Sequence, residues 1–142
     1  MEKITIETNV AATIADVWRA FNEPDDIVEW DAAEDWYTTR ASNDLKVGGK
    51  LLLRLEDRDG GTGFDVAATY TQIETNRMIE YRMDDGRIVG RMVRVEFFET
   101  GNGVTVRQIF EAEPTLPASG QRSDWQTVLD RFARYVGSIT NS

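Results

Sequence analysis

The stretch "SDWQTVLDRFARYVG", Ser123 to Gly137, places Trp125, Val128, Leu129, Phe132, Ala133 and Val136 at alternating steps of three and one. That period lays the apolar side chains along one face of a helix. Ser123 followed by Gln126 reads as a capping box, and Gly137 stands where a C-cap is expected. Asp130 and Arg134 are expected to pair on the solvent side. A helix this amphipathic needs a broad apolar surface to lie on, so the preceding sequence must supply one.

It does so as strands. From Thr38 to Glu113 the pattern is β throughout. In "KLLLRLE", Leu51, Leu53 and Leu55 share one face and Leu52, Arg54 and Glu56 the other. "DRDGGTG" is a tight turn, and "FDVAATYTQIE" and "RMIEYRM" follow as strands separated by "ETN". "DDGR" turns the chain into "IVGRMVRVEFFE", where Val93, Val95 and Phe97 alternate with a solvated Arg94 and Glu96. After "TGNG", the strand "VTVRQIFEAE" sets Val104, Val106, Gln108 and Phe110 against Thr105, Arg107 and Glu111. Turn signals about every ten residues predict an antiparallel meander. "EPTLPASGQR", with two prolines, breaks the sheet before the helix.

Upstream, "KITIETNV" alternates as a half-buried strand with Ile4 and Ile6 inward. "TIADVWRAF" switches to helical spacing, with Thr13 as N-cap and Asp16 in the first turn. Pro24 restarts a short helix, "PDDIVEW". The expected fold is therefore α+β, a single domain over residues 1–142. About six to seven strands wrap on a long C-terminal helix, with two short helices after the first strand.

The composition narrows the chemistry. The 142 residues carry a formal net charge of −9, which argues against nucleic-acid and anionic-membrane partners. No apolar run reaches the ~20 residues of a membrane span, and neither span nor leader is expected. The chain contains no cysteine and no histidine. Disulfides, thiolate chemistry, imidazole catalysis and His-rich metal sites are thereby excluded, and a cytoplasmic location fits. No cofactor or metal is expected. The acids Asp25, Asp26, Glu29, Asp31, Glu34 and Asp35 lack the spacing of a calcium loop and read as a solvated helix face. "VGGK" and "GGTG" fall short of phosphate and dinucleotide motifs.

The segments "VWRAFNEPDDIVEW", "DLKVGGKL", "DGGTGFDVAATYTQIETNRMIEYR" and "DWQTVLDRFARYV", in that order, resemble the START-related, Bet v 1-like (SRPBCC) helix-grip proteins. The branch they are most similar to is named for its likeness to the activator of the heat-shock-protein-90 ATPase. The chain departs from that branch where Asp31 follows Trp30, in place of a second tryptophan, and where Asp124 precedes Trp125, in place of a glycine. The resemblance implies a cavity between the concave sheet and the helix, closed at one end by the short helices.

Trp30, Trp36 and Tyr37 are candidates for the rim or wall of that cavity, whereas the helical stripe already accounts for Trp18 as core. Inward strand positions add Leu53, Val95, Phe97 and Phe110, and the helix adds Trp125 and Leu129. Gln108 is the informative polar candidate, because it shares a face with valines. Tyr70 and Tyr81 are candidates to present hydroxyls, subject to the register around "ETN".

Three functions follow: binding of a small apolar or amphipathic molecule, activation of a chaperone or another protein partner, or catalysis of the cyclase or hydrolase type. Binding is favoured, since no pair of residues suggests a catalytic constellation.

Overall fold

The structure, a computed structural model, describes residues 2–33, 35–84 and 89–140. Strand β1 (Lys3–Val10) leads into helices α1 (Ile14–Asn22) and α2 (Pro24–Trp30). Six strands follow: β2 (Trp36–Asn43), β3 (Lys50–Asp57), β4 (Gly63–Glu74), β5 (Met78–Met83), β6 (Met92–Thr100) and β7 (Gly103–Glu111). Helix α3 (Ala118–Thr140) closes the chain. The strands form one antiparallel sheet in the order β1-β7-β6-β5-β4-β3-β2, curled around α3 in a helix-grip arrangement. Register shifts at Thr38/Arg40 in β2 and at Tyr70/Gln72 in β4 supply bends that a regular ladder would resist.

Local signals act largely as the sequence indicates. The Asp16 amide donates to Thr13 Oγ1 at 3.2 Å, and Pro24 occupies the first turn of α2. The turn around Asn76 uses a positive φ of 66°, which asparagine tolerates, and sets Tyr70 opposite Tyr81. On the convex face Arg94 and Arg107 share Glu96, with Glu80 and Glu7 as further partners. Most of the turn expected at residues 84–87 lies outside the described residues, as do Ile88 and Glu34.

The ends of α3 differ from expectation. The helix begins at Ala118, five residues before Ser123, and runs through Gly137 to Thr140. Gln121 explains the early start. Its buried amide accepts from the Glu113 amide at 2.8 Å and donates to the Glu113 carbonyl at 2.9 Å, fastening the new helix to the end of the sheet. That tertiary anchor outweighs the local capping signal. Asp130 takes Thr8 Oγ1 at 3.1 Å and Gln126 Nε2 at 2.9 Å as donors, where pairing with Arg134 is expected from spacing.

Those contacts also fix where α3 lies. Arg122 Nη1 donates to the Thr5 carbonyl at 2.6 Å and Gln126 Nε2 to the Glu7 carbonyl at 2.9 Å, covering the free edge of β1. Helix α3 is thereby held over the β1-β7-β6 side of the sheet. There Leu129, Phe132 and Val136 meet Ile4, Ile6, Val95 and Val106 in a closed core. Helix α2 packs at the other edge, against β2. The concave surface of β3, β4 and β5 lies between these two covers, and part of it faces a hollow.

Candidate functional site

Between this concave surface and the helices lies a cavity of about 620 Å³. Its floor is the inward face of β3, where Leu51, Leu53 and Leu55 keep period 2, continued by Val66 on β4 and Ile79 on β5. Val128 and Trp125 form the α3 side. Asp124 and Asp35, both exposed, mark the mouth.

Seven of the sequence candidates line this space: Trp30, Trp36, Leu53, Tyr70, Tyr81, Gln108 and Trp125. Trp30 is chiefly a staple. Its Nε1 donates to the Ala20 carbonyl at 2.8 Å, and its ring stacks on Phe21 and meets Phe132 edge-on. Trp36 packs edge-on against Phe64 across the mouth, with ring centres 5.1 Å apart. Trp125 stacks on Phe110 at 3.9 Å.

Five candidates do not line it. Val95, Phe97, Phe110 and Leu129 do point inward, but α1 and α3 cover them, and they are core. Phe97, for example, is closed over by Trp18 and Phe21. Tyr37 alternates with Trp36 along β2, so it faces away, beneath the Arg58 guanidinium at 5.4 Å.

The polar groups of the wall are few. Gln108 is 8% exposed, and among the described residues its amide has no hydrogen-bond partner. Since among the described residues no side-chain nitrogen or oxygen sealed from solvent lacks a partner, and Gln108 lines the cavity, that amide opens into it. Tyr70 donates to Asn43 Oδ1 at 2.7 Å, and burial pushes its hydroxyl up to about 12. Burial raises Tyr81 further, reinforced by Tyr70 and Asp31 and opposed by Arg91.

Asp31 departs from the solvated helix face expected of it. It caps the C-terminus of α2 and lines the cavity. Thr38 Oγ1 donates to its Oδ2 at 2.9 Å, while Oδ1 has no partner among the described residues. Burial raises its carboxyl above the ordinary value of 3.8, and the Thr38 hydrogen bond only partly offsets this. One signal in the sequence points this way: an acid at a helix C-terminus opposes the helix dipole, which makes a purely structural role unfavourable.

A carboxyl that holds its proton more tightly when folded loses stability as pH rises from 3.8 through its raised folded value. Asp31→Asn should therefore raise the melting temperature at pH 7. Thermal melts across a pH series should show that gain shrinking toward zero as the pH approaches 3.8.

An antiparallel sheet gripping a long helix around an apolar hollow defines a START-like, SRPBCC-type protein. Residues 11–137 match the family model for activator of Hsp90 ATPase homolog 1-like protein, and the chain belongs to that family. It is 37% identical to an AHSA1-like protein from Aeromonas hydrophila, covering 99% of this chain and 96% of that one at a TM-score of 0.89. A Cytophaga hutchinsonii protein is 38% identical, over 98% and 94% of the two chains, with a TM-score of 0.81. A Chromobacterium violaceum protein shares the fold at 19% identity, over 96% and 99% of the chains, with a TM-score of 0.83. No curated protein matches the chain. Among the described residues no helix is long and apolar enough to cross a membrane.

Proposed function

We propose that this chain is a binding protein that holds a small apolar or amphipathic molecule between β3–β5 and the first half of α3. One observation carries the reading: a mostly apolar hollow of about 620 Å³ into which the buried amide of Gln108 opens without a protein partner. Ligand sites commonly measure about 300–1,000 Å³, with apolar walls for affinity and a few polar groups for orientation. An unpartnered amide in such a wall is unfavourable until a ligand or water satisfies it.

Binding is preferred to catalysis because, among the described residues, no hydrogen bond joins two polar side chains of the hollow, although Asp31 and Tyr70 act on Tyr81 through their charge. Asp31 is bonded to Thr38, and Tyr70 to Asn43. Family membership by itself attaches no chaperone partner to this chain.

N-Phenyl-1-naphthylamine, a neutral probe that brightens in apolar surroundings, tests the reading. Titration should show one saturable site, and native mass spectrometry of the purified protein should detect co-purifying small molecules. Gln108→Leu should leave the fold intact and change affinity for hydrogen-bonding ligands by about twofold to tenfold, as expected for one hydrogen bond. A wild-type protein that neither binds the probe nor carries any small molecule would remove the basis for this function.

A further inference from the structure

The charges and acceptors around the hollow bear on which amphiphile it takes. Each charged side chain in the described lining is an acid: Asp31 within, Asp35 and Asp124 at the mouth. Among the described residues no lysine or arginine lines it, although the Arg91 charge is felt by the Tyr81 hydroxyl of the wall. Arg91 is not among the lining residues; its guanidinium lies 5.1 Å from the Trp125 ring centre and 5.4 Å from that of Phe110. Its Nε and Nη2 are committed to the Glu111 carbonyl and Gln121 Oε1 at 2.6 Å and 3.3 Å.

The neutral groups lean the same way. Tyr70 gives its proton to Asn43, so it retains only an acceptor, and Asn22, with one amide hydrogen on the Trp18 carbonyl at 2.9 Å, keeps its amide oxygen together with one N–H. Asp31 keeps Oδ1 unpartnered. Trp36 adds an aromatic ring to the lining, and aromatic faces attract cations.

Resting on the binding function above, we propose that the site selects amphiphiles with an aromatic or aliphatic body and a cationic head, an ammonium or comparable donor, and rejects carboxylates. The head lies against Asp31 Oδ1 and the Gln108 amide oxygen, and the body fills the leucine floor of β3. Two independent features point inward to a ligand here. Gln108 is more than nine-tenths buried and unpartnered, and the cavity leads to it from an acidic mouth. The raised proton affinity of Asp31 agrees with a carboxylate that lacks a counter-ion until one is delivered.

The test uses three naphthalenes that differ only at the head: 1-naphthalenemethylamine, 1-naphthalenemethanol and 1-naphthoate. Each is titrated against bound N-phenyl-1-naphthylamine at pH 8, in 0.15 M and in 1 M salt. The amine should displace the probe at least tenfold more tightly than the carboxylate, with the alcohol between them. A preference at the half-buried acid persists at 1 M salt, whereas attraction to the net charge of −9 is screened away.

Asp31→Asn, which keeps an oxygen for Thr38, should abolish most of the preference for the amine over the alcohol. Asp124→Asn, at the exposed mouth, should reduce it less. Melting curves establish that both variants fold. If the fluorescent probe binds but the amine has no advantage, the charge selectivity is wrong and the binding function stands. The selectivity is equally overturned if the advantage survives Asp31→Asn or vanishes in 1 M salt. If neither the probe nor any naphthalene binds, the binding function itself fails and the selectivity with it.

Discussion

Phe132→Ala should destabilise the protein by about 3–5 kcal/mol, the range for removing a fully buried aromatic ring. Phe132 is 0% exposed on the inner face of α3. Its ring meets Phe21 at 5.3 Å and Trp30 at 4.9 Å, both edge-on, so three elements converge on it. The surrounding groups cannot easily collapse into the gap. Trp30 is tethered to the Ala20 carbonyl and Phe97 is wedged between Trp18 and Phe21. The loss therefore combines transfer free energy with an unfilled void. Against a total stability of about 5–15 kcal/mol the variant should melt roughly 10 °C or more below the parent.

Val128→Ala, one turn earlier on the same helix, is the contrasting case. Val128 is half-buried and borders the existing hollow, so truncation creates no new void and should cost about 1 kcal/mol or less. Guanidinium denaturation distinguishes the two: a large fall in midpoint for Phe132→Ala, a small one for Val128→Ala, and unchanged slopes for both. Equal losses would mean that the cavity side of α3 is packed as tightly as its core side.

The difference between those faces is also what could and could not be seen in the sequence. Periodicity locates α3, and alternation along β3 places Leu51, Leu53 and Leu55 together on what becomes the cavity floor. Both are properties of one element read along its own length. Whether an inward strand residue meets a helix or a hollow depends on another element. Val95, Phe97 and Phe110 share the inward character of Gln108, yet they are sealed under α1 and α3 while Gln108 opens into the hollow.

The same limit applies to the start of α3, which Gln121 fixes through Glu113 at the end of the sheet. It applies to Asp31 as well. Its neighbours in sequence are acids, which suggests a solvated face, and only the fold of the α2–β2 connection turns it inward onto Thr38. Tyr37 differs from expectation for a simpler reason. It adjoins Trp36 in a strand, so the two cannot share a face.

Leu53→Trp is expected to have the largest functional effect, at least a hundredfold loss of affinity for N-phenyl-1-naphthylamine, with the fold preserved. Leu53 lies mid-strand in β3, between Ala41 of β2 and Val66 of β4 in the ladder, and its side chain forms part of the cavity floor. An indole at this position extends into free volume rather than into packed neighbours. The usual overpacking cost of about 1–3 kcal/mol should therefore not apply, and added apolar burial should hold or raise the melting temperature. Leu52→Trp is the sharpest control, because one step along the strand reverses the face. Leu52 is 46% exposed on the convex side, and an indole there should leave probe binding unchanged. Opposite outcomes at adjacent residues would place the bound molecule on the concave side of β3. Equal outcomes, or undiminished binding by Leu53→Trp, would place it elsewhere and separate the hollow from the function proposed for it.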